Sequence, residues 1–155
     1  KEISLEEWTL FAKEKFKKTD KTISKEHIKT IFNITNGFPY YMQQLLYHVW
    51  EECAQNVDTE MIQNALKLML EREYDLYAYI YSSLTPNQKI TLKYIAFFDG
   101  TNLYSNNNLS EVSLSASTLK STLESLLKKD ICDRIDDRYY LVDPFMQYWL
   151  MHSNS

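Results

Sequence analysis

Residues 131–144 read ICDRIDDRYYLVDP, and this stretch decides the fold of the second half of the chain. Two short runs of alternating apolar and polar side chains flank the charged pair Asp136-Asp137, a pattern that predicts a small β-hairpin. Asp143-Pro144 follows at once and is typical of a helix start, with a capping aspartate before a proline at the first helical position. The hairpin is therefore followed directly by a closing helix.

Helices precede this hairpin. Thr85-Pro86-Asn87-Gln88 has the pattern of a capping box and opens a helix that we expect to bury Ile90, Tyr94, Ile95 and Phe98. An asparagine-rich loop over residues 99–108 comes next, then a short helix over 109–114. Another helix starts near Ser115 and carries an apolar face of Leu119, Leu123, Leu126 and Leu127. Three helices, a hairpin and a last helix are the element order of a winged helix-turn-helix domain.

The pattern of apolar residues and helix caps in residues 1–83 predicts four helices. The first follows a capping box at Ser4 and Glu7, and its apolar stripe consists of Leu5, Trp8, Ala12 and Phe16. The second runs from Ser24 to Asn36-Gly37, and the third follows Pro39. The fourth starts at residue 58 or 59 and continues into the tyrosine-rich stretch 74–81. The predicted fold class is mainly α: a four-helix bundle over residues 1–83, then a winged helix over 84–155.

The composition of the chain argues against several classes of fold and function. The chain has 155 residues, two glycines and a formal net charge of −4, which argues against an all-β fold and against a nucleic-acid binder. No run approaches the roughly 18 apolar residues of a membrane span. Two cysteines form no disulfide framework, so a reducing compartment is indicated. We expect a cytoplasmic protein with no membrane partner, and the start at Lys1 looks like a cut from a longer polypeptide.

The sequence lacks the patterns of an active site. With glycine only at positions 37 and 100, these residues contain no glycine-rich phosphate loop. The cysteines and histidines are scattered, so we expect no metal site, and no nucleophile or carboxylate pair stands in a recognisable setting. The chain is therefore predicted to be non-catalytic. The alternative is a catalytic domain of unknown type.

A candidate binding surface lies at Gly37, Phe38, Pro39 and Tyr40, between the second and third helices. From local physics alone, a glycine stop followed by a proline start is a common helix–helix joint. The stretch TNGFPYY at 35–41, with QQLL at 43–46, resembles the lid segment of prokaryotic STAND-type P-loop ATPases, relatives of the AAA+ group. LEEW at 5–8, LTPNQK at 84–89, DPF at 143–145 and WL at 149–150 resemble further segments of that family in order.

The resemblance implies a role for the chain in a longer protein. The first domain would be a lid that closes over ATP or ADP, held with Mg²⁺ by an N-terminal P-loop domain of the same chain. Gly37 and Pro39 would lie against the adenine or ribose, with Phe38 and Tyr40 shaping that wall, while the P-loop and metal site would precede residue 1. The parent is then an ATPase, this part has no catalytic residue, and it should bind no nucleotide by itself.

The predicted winged helix is the second candidate surface. Candidate DNA contacts are Ser117, Lys120, Ser121 and Lys128 on the recognition helix, and Arg134 and Arg138 on the wing. Residues 85–155 carry seven Lys or Arg against eight Asp or Glu, a net charge of −1 that disfavours phosphate binding. We favour a winged helix that relays nucleotide state to a protein partner or through self-association. The alternative is a DNA-binding transcriptional regulator.

Overall fold

The structure of the chain, a computed structural model, describes residues 2–152 and divides into two compact units, Lys1–Arg72 and Glu73–Ser155. Residue 1 and residues 153–155, which the two predicted domains include, lie outside the described residues. The helices of the first unit are α1 (Leu5–Lys17), α2 (Lys25–Thr35), α3 (Pro39–Glu52) and α4 (Thr59–Arg72). The elements of the second unit are α5 (Tyr74–Ser82), α6 (Pro86–Phe97), α7 (Asn106–Leu109), α8 (Ala116–Lys128), β1 (Cys132–Ile135), β2 (Arg138–Leu141) and α9 (Pro144–His152).

The first unit is built by helices whose starts are fixed locally and whose apolar faces meet. The hydroxyl of Ser4 accepts the amide of Glu7 at 3.2 Å, and the Glu7 carboxylate accepts the amide of Ser4 at 2.8 Å, which completes the predicted capping box. The core consists of side chains that are almost fully buried, among them Trp8, Ile28, Ile31, Met42, Leu45, Val49 and Ile62. Each contributes about 1.5–3 kcal/mol of burial free energy.

The second unit has the predicted winged-helix order. Thr85 and Gln88 form the expected capping box at the start of α6. The strands β1 and β2 pair antiparallel, with Cys132 opposite Leu141 and Ile135 opposite Arg138, so Asp136-Asp137 forms the turn. Asp136 takes a left-handed φ of 52°, which a short polar residue tolerates. The mainly helical fold class with a winged helix and a small hairpin is therefore confirmed.

The division between the units lies earlier than the predicted boundary after residue 83. The predicted fourth helix is interrupted at Glu73, and its tyrosine-rich end forms the separate helix α5, which belongs to the second unit. Tyr77 is buried against Trp149, with ring centroids 5.9 Å apart, and its hydroxyl donates to the Asp143 carboxylate at 2.8 Å. This packing ties α5 to α9.

Two local predictions in the second unit were wrong. The short helix lies at 106–109 rather than 109–114, because Ser105 caps it by accepting the amide of Asn108 at 3.2 Å. Ile90 is exposed, because the buried face of α6 is formed instead by Thr91, Leu92, Tyr94, Ile95 and Ala96.

The β1–β2 hairpin, which is the wing of the winged helix, packs closely against the backbone that follows α6. The carbonyl of Gly100 accepts the amide of Tyr139 at 3.1 Å, and a Cβ atom on Gly100 would lie 1.6 Å from the Tyr139 carbonyl oxygen. Gly100 also has a φ of +70°, which L-residues rarely adopt.

We expect Gly100→Ala to lower the free energy of unfolding by about 3 kcal/mol or more, since the wing must move away and the backbone is strained. Thr101→Ala, one residue away and exposed, should cost about 0.5 kcal/mol or less. Urea denaturation of the two variants measures the difference. Equal stability of the two would contradict the close approach.

The bond between Tyr77 and Asp143 gives a pH-dependent prediction. Burial raises the pKa of Asp143 above its ordinary value, while the hydrogen bonds from Tyr77 and two backbone amides oppose that rise. Because the folded pKa exceeds the unfolded one, this group contributes stability at low pH that is lost as pH rises through the folded pKa. Removing a bond that favours the carboxylate raises the folded pKa further.

Tyr77→Phe should therefore destabilise the protein by about 1.5–3 kcal/mol at pH 7 and by less near pH 3. Tyr81→Phe is the matched control, because that ring also packs on Trp149 at 5.9 Å but its hydroxyl has no bond to Asp143. Urea denaturation at both pH values gives the comparison. A Tyr77→Phe penalty that does not depend on pH would contradict the role of the carboxylate.

Candidate functional site

The corner between α2 and α3, residues 36–41, is formed by a left-handed helix stop. Asn36 and Gly37 have φ values of 53° and 69°, and the amide of Gly37 donates to the carbonyl of Phe32 at 2.9 Å. This closure satisfies a carbonyl at the end of α2. A Cβ atom on Gly37 would lie 2.6 Å from the Phe32 ring, which would have to shift, and a φ of 69° is one that L-residues rarely adopt, so the closure favours glycine.

The four predicted nucleotide contacts differ in their exposure. Gly37 is buried and Phe38 is half-buried, whereas Pro39 and Tyr40 are exposed. The Tyr40 ring meets Tyr41 edge to face at 5.1 Å, and its hydroxyl accepts the side-chain amide of Gln44 at 2.8 Å. Gly37 thus shapes the corner, and Pro39 with Tyr40 presents a rigid apolar and aromatic surface to the solvent.

The start of α3 also has an electrostatic character. Proline at the first helical position fixes the backbone, and the first turn carries no acidic residue. A phenylalanine side chain at the N-cap has no atom that could accept an amide hydrogen. The positive end of the helix dipole is therefore not balanced by an acidic side chain, which favours the approach of a negatively charged group.

Among residues 2–152, no group of three or more His, Cys, Asp or Glu side chains could hold a metal ion. Burial raises the pKa of the Cys132 thiol to about 12, which disfavours its thiolate form at neutral pH. No helix in the described part of the chain is long and apolar enough to cross a membrane.

The recognition helix α8 presents the four predicted polar side chains at its surface. Ser117, Lys120, Ser121 and Lys128 are all exposed, and they lie opposite the buried face of the helix. Two of them already make local bonds: the Ser117 hydroxyl lies 3.1 Å from that of Ser115, and Ser121 donates to the carbonyl of Thr118 at 3.0 Å.

The two wing arginines bind acidic partners within the unit. Arg138 donates to the carboxylate of Asp99 at 2.8 Å and to its carbonyl at 3.1 Å. Arg134 donates to the carbonyl of Asp136 and lies 3.5 Å from the carboxylate of Asp137. The structure brings Arg134 and Lys120 into one cleft of about 660 Å³ between α8 and the wing, but Glu124 and Asp137 line it too.

A further surface was missed by the sequence prediction. A groove between α1 and α3 is lined by the aromatic side chains Phe11, Tyr47 and Trp50 and by the lysines Lys15 and Lys18. The available signal was Phe11, an aromatic residue that lies outside the buried stripe of α1 and is 41% exposed.

The architecture of the second unit defines a winged-helix protein. A family model described as a probable winged helix domain matches residues 75–152, and the chain belongs to this family. A Walker-type ATPase of Pyrococcus abyssi has a similar structure, with a TM-score of 0.68 and 15% sequence identity, covering 94% of this chain and 41% of that one. No curated protein shows significant sequence similarity.

These similarities confirm the fold, but they do not test the predicted family or the predicted contacts. The chain spans about two fifths of the archaeal ATPase, and at 15% identity the likeness is one of fold alone. The STAND family, the lid and the nucleotide contacts at residues 37–40 stay predictions, as do the DNA contacts on α8 and the wing.

We expect no appreciable DNA binding by this chain. The wing arginines are paired with aspartates, and neutralisation of phosphates supplies most of the affinity of DNA-binding modules. A fluorescence titration with a labelled 30-base-pair duplex at 50 mM salt measures it. Submicromolar binding that weakens steeply with salt, and that is lost in Lys120→Glu but retained in Lys29→Glu, would instead support a DNA-binding regulator.

Proposed function

We propose that this chain is the regulatory C-terminal part of a STAND-type P-loop ATPase. The first unit serves as the lid, and its α2–α3 corner contacts ATP or ADP held with Mg²⁺ by an ATPase domain that precedes residue 1. The winged helix passes the nucleotide state to a protein partner or to a second copy. Hydrolysis belongs to the parent protein, which this assignment places in the cytoplasm.

The observation that carries the proposal is the exposed pair Pro39 and Tyr40 at the start of α3. A nucleotide combines a planar base with negative charge. The pair offers an exposed apolar and aromatic surface, and the adjacent helix start has positive electrostatic character. The buried glycine closure behind the pair fixes its position, so little ordering is needed on contact.

The presence of this corner and of a winged helix on one chain supports the same assignment. The fold of a Walker-type ATPase matches 94% of the chain, and the match covers 41% of that protein, which fits a part of a larger ATPase. A lid relays nucleotide state only if it moves between discrete arrangements, and a second folded unit on the same chain supplies a surface that a partner could contact. This relay is the finer part of the proposal.

The test is a substitution in the intact parent protein. Tyr40→Ala should weaken ADP binding about five- to tenfold, which corresponds to loss of about 1 kcal/mol of aromatic contact. Tyr79→Ala is the matched control, because Tyr79 is also a helical tyrosine and is 72% exposed, against 65% for Tyr40. Isothermal titration calorimetry measures both.

Two results would contradict the proposal. One is an equal ADP affinity of the Tyr40→Ala and Tyr79→Ala proteins, and the other is a parent gene that encodes no phosphate-binding loop before residue 1. The isolated chain should bind ATP negligibly, since the phosphate-binding residues belong to the parent. Micromolar affinity of the isolated chain would overturn that assignment.

A further inference from the structure

The groove between α1 and α3, which we call the aromatic groove, is a surface separate from the α2–α3 corner. It has a volume of about 650 Å³, and every residue that lines it belongs to the first unit. Its floor is formed by the buried side chains of Ala12, Phe16 and Leu46. Its walls are Phe11 and Tyr47, which are 41% and 54% exposed, together with the half-buried Trp50.

The walls of the aromatic groove are held in place by several contacts. The indole Nε1 of Trp50 donates to the hydroxyl of Thr19 at 2.8 Å. Lys21 donates to the Trp50 carbonyl at 2.7 Å, and its Nζ lies 4.3 Å from the centre of the Trp50 ring. Tyr47 stacks on Trp50 with an interplanar angle of 27°. Rigid aromatic walls lower the entropy cost of binding, as at interface hot spots.

The charged residues that line the aromatic groove are lysines, and acidic side chains lie only at its edge. Lys15 and Lys18 line it, and no acidic residue does, although Glu51 accepts the Tyr47 hydroxyl at 2.9 Å at its edge. Residues 13–21 contain five lysines and two acidic residues, a net charge of +3 in a chain of net −4. One of the five lysines, Lys18, forms an exposed ion pair with Glu14 at 3.3 Å. The groove is thus a basic, apolar site on an acidic protein.

We propose that the aromatic groove binds an acidic amphipathic helix of a partner protein. A groove between two helices accepts apolar side chains at positions i, i+3 or i+4, and i+7 of a docked helix. The apolar floor of the groove can receive such side chains, and Asp or Glu residues beside them meet Lys15 and Lys18. Complementary charge raises both the association rate and the specificity.

Other occupants fit less well. In a symmetric dimer through this face, each copy presents the same patch to the other, which would oppose two lysine-rich segments. A nucleic acid would satisfy the lysines but would leave the apolar floor of Ala12, Phe16 and Leu46 without an apolar partner. The inference does not depend on the proposed function, because it concerns α1 and the second half of α3 rather than the corner.

The test is selection of peptides from a displayed library of random 16-residue sequences on the intact chain. Selected peptides should contain Phe, Trp or Leu at helical spacing with Asp or Glu beside them. The best peptide should bind about tenfold more weakly to Phe11→Ala and to Tyr47→Ala, as expected for hot-spot residues. Lys15→Glu with Lys18→Glu should also weaken binding and reduce its dependence on salt.

Matched controls distinguish the groove from a general surface effect. Leu10→Ala changes a residue that is 74% exposed on the same helix but does not line the groove, and Lys29→Glu reverses a charge on α2. Both should bind the peptide as the unchanged chain does. Selection of basic or uncharged peptides, no enrichment, or equal binding to all variants would overturn the proposal. Self-association that is lost in Tyr47→Ala, seen by sedimentation, would overturn it in favour of a second copy.

Discussion

Close approach of neighbouring atoms to the backbone at the two glycines is the constraint on which both units depend. At Gly37 the chain leaves α2 in a left-handed conformation beside the Phe32 ring, and at Gly100 it leaves α6 directly against the carbonyl of Tyr139. A side chain at either position would need space that neighbouring atoms occupy. The first closure sets the direction of α3, and the second holds the wing against the rest of the winged helix. The chain uses glycine only at these two places.

The direction of α3 determines the surfaces of the first unit. One face of the helix supplies Met42, Leu45 and Val49 to the core, while the other presents Tyr40 near its start and Tyr47 near its end. These two tyrosines are seven residues apart, which is about 10 Å along a helix. A nucleotide at the corner and a peptide in the aromatic groove would therefore contact the same helix.

Local signals allowed much of the fold to be predicted from the sequence. The capping boxes at Ser4 and Thr85 are complete in sequence and form as expected, and the hairpin turn was visible as Asp136-Asp137. The break at Glu73 was missed because neither glycine nor proline marks it. It follows from long-range packing, in which Tyr77 contacts Trp149 and Asp143. Periodicity along one helix carries no information about such a contact.

The candidate sites show the same limit. The corner at residues 37–40 could be found because its residues are consecutive, and the order of local motifs gave the resemblance. The aromatic groove could not, since it joins residues of two helices separated by a third. The partner of Arg138 was equally hidden, because Asp99 lies 39 residues earlier in the chain.

The pairing of Arg138 with Asp99 bears on function. A DNA phosphate would have to replace the Asp99 carboxylate, which lies 2.8 Å from the Arg138 guanidinium, and Asp133 and Asp136 are close by in sequence. A surface with charges of both signs, already paired, is better suited to a protein partner than to a polyanion, because complementary charges on a protein can match both.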